Sequence, residues 1–220
     1  MDMKMKAALL APLPHWGLLL VAGASPALLT GTVSRSLMIP VSVVSWTLQI
    51  FVFGLIVSKV FPERASGFWE ILREYGVKFL IVGLLVGVIA ISIQVLLLRP
   101  VLSGVHPIYI RGLVRAVFGA LIVFVWPLIF LGRSGIGALF SGVLFLMRNI
   151  GSSWWIVGMV VIAQLLQVSG FVLFTEHRAG WTFVTLLVSA FLSVYLVTAS
   201  FSGALYLLVN IRVEDSLVEA

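Results

Sequence analysis

The sequence contains no cysteine. Disulfides, thiolate metal sites, iron–sulfur clusters and a cysteine nucleophile are therefore excluded. Charge is scarce too: Asp, Glu, Lys and Arg make up 10% of the 220 residues, against 61% hydrophobic residues. Soluble domains average about 25% charged, so this chain has too few charges to cover a water-facing surface. Histidine occurs three times, as His15, His106 and His177. The patterning below puts His106 and His177 in loops on one side and His15 at the opposite face, so a two-histidine haem inside a bundle has no matched pair of ligands. His106 and His177 with Glu176 would make a conceivable metal site. Solvated loop histidines are the simpler reading, and neither metal nor cofactor is expected.

Long uncharged runs fill the space that charge leaves. Ser36–Ser58 has 23 residues, Phe79–Leu98 has 20 and Ala116–Gly132 has 17; the runs after Arg148 and Arg178 have 27 and 33. A spanning helix needs roughly 20 apolar residues, with about 17 as the lower limit, and longer runs are accommodated by tilt. Six spans are predicted, near 16–33, 37–58, 79–98, 114–132, 153–174 and 181–209. The runs do not alternate at period two, which excludes barrel strands. The expected class is therefore all-α, a polytopic helical membrane protein.

The first span has two readings. Lys4 and Lys6 lead into an apolar stretch, and Ala22-Gly23-Ala24 has the form of a signal cleavage site. Pro12, Pro14 and His15 interrupt that stretch and favour a retained helix, kinked at Pro26. With six spans, Lys4, Lys6, Lys59, Arg64, Arg73, Lys78, Arg133, Arg148 and Arg212 share one side, whereas Arg35, Arg99, Arg111, Arg115 and Arg178 share the other. Lys and Arg concentrate on cytoplasmic loops, so both termini are expected in the cytoplasm and the protein in the cell membrane. The net charge of +6 follows from this bias. A nucleic-acid surface would need clustered basic residues, and none is expected.

One segment occurs twice. Ser66–Val86 (SGFWEILREYGVKFLIVGLLV) and Ser141–Val161 (SGVLFLMRNIGSSWWIVGMVV) agree at 8 of 21 positions without a gap. In the first copy Phe68, Ile71, Leu72 and Tyr75 form an apolar stripe, with Glu70, Arg73, Glu74 and Lys78 mostly around the other side. In the second, Ile136, Leu139, Phe140, Val143, Met147 and Ile150 form the stripe, opposite a weakly polar face of Gly137, Ser141, Gly142, Arg148 and Asn149. Only 14 residues separate Arg133 from Arg148, too few to cross a bilayer. Both copies read as in-plane surface helices. Each is followed by a bend at Gly76 or Gly151 and by a span opening on aromatics, Phe79 or Trp154 with Trp155. The expected organisation is a single membrane domain: an N-terminal hairpin over 1–58, repeat units over 59–132 and 133–211, and an acidic tail over 212–220. A third, degenerate unit over 1–33 does not align.

This pattern resembles the membrane domain that precedes the catalytic domain of some glycerophosphodiester phosphodiesterases, and its stand-alone prokaryotic relatives. Ser141-Gly142, Arg148, Gly151 and Trp154-Trp155 carry the resemblance, echoed by Ser66-Gly67, Arg73 and Gly76. It spans about residues 60–210. The resemblance implies a compact helical bundle in a prokaryotic membrane. It does not imply phosphodiesterase activity, because the acidic and histidine metal ligands of that catalytic domain have no counterpart in these residues.

Apart from Arg115, at the edge of the span over 114–132, no Asp, Glu, Lys or Arg falls inside a predicted span. Intramembrane ionisable groups serve proton relays and coupled transport, so their absence argues against an ion-coupled transporter and against intramembrane acid–base catalysis. Gln49, Gln94, Gln164 and Gln167 remain. Gln164 and Gln167 share a helix face, and interhelical hydrogen bonding explains them more simply than a substrate path. The stretch GRSGIGALFSG over 132–142 lacks the Gly-Lys-Ser/Thr ending of a phosphate loop. Ser34, Ser36 and Ser134 have no nearby base. The outer segment 99–115 brings Arg99, Arg111 and Arg115 together with His106 and Tyr109. That combination suits an anionic ligand or plain interfacial anchoring.

A non-enzymatic module is expected, one that docks a partner protein or lipid at the cytoplasmic surface through Arg73, Lys78, Arg148, Trp154 and Trp155. A channel or permease-like subunit working with another chain is the alternative, and a lipid enzyme comes last.

Overall fold

The computed structural model describes residues 3–32, 38–64, 67–98, 107–132, 135–177 and 180–218. Among them every regular element is helical. The helices are α1 (Met3–Leu10), α2 (Trp16–Thr32), α3 (Met38–Val60), α4 (Phe68–Ser92), α5 (Pro107–Leu121), α6 (Val125–Phe130), α7 (Gly135–Arg148), α8 (Ile150–His177) and α9 (Gly180–Val218). A 3-10 turn over Leu13–His15 joins α1 to α2, and α4 runs on as a π-helical segment, Ile93–Leu98.

Among the described residues five segments are long and apolar enough to cross a membrane: Met5–Ala24, Pro40–Val60, Phe68–Leu96, Ile150–Thr175 and Gly180–Ile211. The span expected over 114–132 is not one helix. It divides at residues 122–124 into α5 and the single-turn-scale α6. Proline explains the position of the break. Within a continuous helix Pro127 would remove an N–H and clash with the carbonyl four residues earlier. Restarting the helix at Val125 moves it into the first turn, where N–H groups lack intrahelical partners anyway. The freed groups are retained locally, with the Val125 N–H donating to the Ile122 carbonyl at 2.9 Å.

At its other end α6 stops on Gly132, whose φ of +93° lies in the left-handed region and whose N–H donates to the Ile129 carbonyl at 3.1 Å. A side chain there is strained. Gly132→Ala is expected to cost about 1 kcal/mol, read as a lower thermal midpoint in detergent.

Helix α9 is the hub, packing on α8 most extensively and also on α2, α1, α3 and α6. Antiparallel order follows from the contacts. Gly170 and Gly203 lie against Ser189 and Ile156 respectively along α8 and α9, while Gly112 and Gly119 of α5 face Val168 and Val160 of α8. Across α3 and α4, Trp46 meets Phe79 and Phe51 meets Phe68. At the centre Phe53 stacks on Phe201 with centroids 4.1 Å apart and planes 2° from parallel. Phe130 of α6 closes on both, at 6.2 Å and 5.5 Å, and Tyr75 lies 4.4 Å from Phe130. Two long-range hydrogen bonds tie the first helices in: Ser45 donates to the Ala22 carbonyl at 2.6 Å, and the Tyr195 hydroxyl donates to the Leu9 carbonyl.

The two copies of the repeated segment fold differently. The first is one unbroken helix from Phe68 to Ser92, so the bend expected at Gly76, and with it a separate in-plane helix, is absent. Its N-terminus is capped by Glu70, whose carboxylate accepts the Gly67 N–H at 3.2 Å. The second copy does break. Helix α7 ends at Arg148, Asn149 forms a turn and α8 starts at Ile150. The break therefore falls two residues before Gly151. Side chains stabilise it: the Asn149 amide donates to the Phe145 carbonyl at 3.0 Å and the Ser153 hydroxyl to the Asn149 carbonyl at 2.7 Å. Helix α9 continues into the acidic tail, as far as Val218.

Candidate functional site

The connection after α3, the start of α4 and the end of α6 meet at one end of the bundle. A Cβ added at Gly132 would lie 3.9 Å from the Arg64 guanidinium, and Arg64 is 3.8 Å from the Glu74 carboxylate. Both partners of that ion pair are partly exposed, so it contributes at most about 1 kcal/mol. Beneath it the Tyr75 hydroxyl is buried without a hydrogen-bond partner. Because α5 runs antiparallel to α8, the end of α6 and the start of α8 share this end. Helix α7 lies across it, packed on α6 and α4.

Helix α7 packs through its small face. Ala138, Gly142 and Leu146 are buried, whereas Ile136, Phe140, Leu144 and Met147 are exposed, Phe140 to 73%. The Gly142 surface, read as weakly polar, carries the protein contact, and part of the expected apolar stripe points away from the bundle. Lipid is as apolar as a leucine side chain, so close backbone approach through small residues decides which face meets protein. A Cβ at Gly142 would lie 2.8 Å from the Val125 backbone nitrogen.

The residues expected to meet a partner or the lipid surface separate into two groups. Arg73 and Arg148 are exposed, and so is Trp154, at 70%. Lys78 is half-buried. Trp155 is half-buried, its ring 2.5 Å from where a Cβ on Gly203 would stand. The sequence reading missed Trp69, 75% exposed in the first turn of α4, and Trp16, exposed at the start of α2. Helix-start tryptophan was the available signal, since an amphipathic ring suits the headgroup level. Trp69 and Trp154 thus share one end with Arg73 and Arg148.

Arg111 and Arg115 lie one turn apart on α5, exposed beside the exposed Leu113. Neither makes an ion pair with a described residue. Arg99 and His106 lie outside the described residues, as do the side chains of Glu176 and His177. Among the described residues no three His, Asp or Glu side chains converge as for a metal ion. Gln164, expected to bridge helices, does not: its amide oxygen is buried with no hydrogen-bond partner.

No known protein family, curated protein or solved structure matches the chain.

Proposed function

We propose that this chain is a non-enzymatic membrane module that docks an acidic partner surface, or anionic lipid headgroups, at the end formed by α4, α6 and α7. The observation that supports it is the grouping of exposed Arg73 and Arg148 with exposed Trp69 and Trp154 on helices that pack together at one end. Tryptophan at headgroup depth holds that end in the interface, the outward apolar face of α7 lies along the lipid, and guanidinium groups pair with carboxylate or phosphate. In this reading the end is cytoplasmic, in keeping with the predicted concentration of Lys and Arg there. The alternative, a permease-like subunit, would move to first place if the protein purified as a homo-oligomer with one enriched small molecule.

The test is purification in mild detergent with mass spectrometry of what accompanies the protein. A stoichiometric partner, or an enriched anionic lipid, is expected with the native chain and is lost when Arg73→Glu and Arg148→Glu are combined. Both side chains are exposed, so the double variant should keep its stability to within about 0.5 kcal/mol per site. Retention of the same partner by the double variant would sink the proposal.

A further inference from the structure

Helix α5 lies on α8 through glycines, and that contact sets the depth of two arginines. A Cβ added at Gly112 would stand 2.5 Å from the Val168 side chain, and one at Gly119 would stand 2.9 Å from Val160. Arg115, halfway along α5 between those contacts, is therefore level with Gln164, halfway between them on α8. The apolar segment of α8 runs from Ile150 to Thr175, so Arg115 lies about 16 Å from its nearer end at about 1.5 Å per residue. That is the middle of a hydrocarbon core of about 30 Å, not the edge of a span. Arg111 lies one turn nearer the Thr175 end. Both arginines are exposed, on a stripe of α5 bounded by buried Ile110 and Val114 on one side and buried Gly112 on the other. The exposed surface at this level is otherwise apolar, with Val117 on α5 and Ile162 and Leu165 on α8. Neither arginine makes an ion pair with a described residue. Like charges one turn apart repel, and an ionised side chain in hydrocarbon is costly unless something pairs with it.

We infer that Arg111 and Arg115 form a lateral docking site for a membrane-spanning helix of another protein, one that carries a carboxylate near its middle. A second copy of this chain cannot supply that group. Glu70 and Glu74 stand in the first two turns of α4, at the opposite end of the bundle, and the other six acidic residues fall outside the five apolar segments. Copies inserted in the same orientation would bring no carboxylate to this level. A lipid phosphate fits only in part. Arg111 can snorkel towards the headgroups, but Arg115 lies deeper than one side chain reaches. A carboxylate on a spanning helix is carried to this depth by the apolar residues around it, and it accepts two parallel hydrogen bonds from a guanidinium. Two guanidiniums about 6 Å apart along the helix axis suit one shared carboxylate or two spaced by a turn. The site is independent of the docking surface at the α4–α7 end.

The test uses the full chain, dye-labelled at its N-terminus, in phosphatidylcholine vesicles. The probe is a synthetic polyleucine helix of about 20 residues, flanked by lysines and carrying one central glutamate; a second peptide has glutamine in that place. Energy transfer between chain and peptide reads their association within the bilayer. The native chain is expected to take up the glutamate peptide saturably and at least about tenfold tighter than the glutamine peptide, as for a hydrogen bond between charged groups. Arg111→Gln combined with Arg115→Gln should bind the two peptides equally. Equal association of both peptides with the native chain would overturn the inference, and so would a glutamate preference that survives in the double variant. Equal association together with enrichment of added phosphatidylglycerol around the native chain alone would overturn it in favour of lipid phosphate. The comparison of peptides on the native chain decides the matter even if the double variant fails to fold.

Discussion

Replacing Phe201 with alanine should lower the unfolding free energy by roughly 3 kcal/mol, the low end of the range for a buried phenylalanine. Phe201 is buried against Phe53 and Phe130, and through Phe130 it is coupled to Tyr75 of α4. The low end applies because the reference state differs from that of a soluble protein. Helices separated in a bilayer still bury their apolar surface in lipid, so packing rather than escape from water holds them together. What alanine removes is dispersion contact, which is small per atom pair and large in sum. For a chain of this size the loss corresponds to a fall in thermal midpoint of about 10 °C. Phe140→Ala serves as the control. It deletes an equally large ring on the exposed face of α7 and should shift the midpoint little. Equal effects of the two changes would mean that the aromatic cluster does not hold the bundle.

The class of the molecule was legible in composition, and most helix positions were legible in the spacing of charges. Arg148 and Arg178 bracket α8, and Arg178 marks the start of α9, because charge is expelled from apolar surroundings whatever the tertiary contacts. The break at 122–124 was not read, although Pro127 was in view. Proline is tolerated in membrane helices when neighbours satisfy the freed groups, so its presence alone does not say whether a helix kinks or divides.

The repeated segment was misleading for a related reason. Eight shared positions predicted one shared shape, but Gly76 and Gly151 permit a bend without imposing one. Asn149 and Ser153 mark the difference: their side chains add hydrogen bonds to the Phe145 and Asn149 carbonyls, which also accept the backbone N–H groups of Asn149 and Ser153. The first copy has Glu74 and Lys78 at those places, and there the helix runs on. For the candidate site, exposure could not be read from residue type. Trp154 and Trp155 are adjacent and chemically identical, yet one faces outward and the other packs toward Gly203. Only the register of α8 against α9 separates them.

Gly142→Leu is expected to be the most disruptive single change at the α4–α7 end, with a cost of about 3 kcal/mol, the upper range for overpacking. The atoms that an added Cβ would meet at Gly142 are the Val125 nitrogen and Cγ2 at 2.8 Å and the Val125 Cα at 3.0 Å. Two of the three belong to backbone, so rotation of the Val125 side chain cannot make room. The backbone of α6 must shift, or α7 must lift. A shift of α6 would drag Phe130 out of the aromatic cluster, so lifting α7 is the easier response. The measurement is limited proteolysis in detergent beside thermal unfolding. Lifting of α7 should expose the connections on either side of it, at residues 131–135 and at Asn149, before the rest of the bundle opens. It should also weaken partner retention, since Arg148 moves with α7 while Arg73 stays on α4. Cleavage and retention unchanged from the native chain would show that α7 is not held by its Gly142 contact, and the docking surface proposed for that end would lose its support.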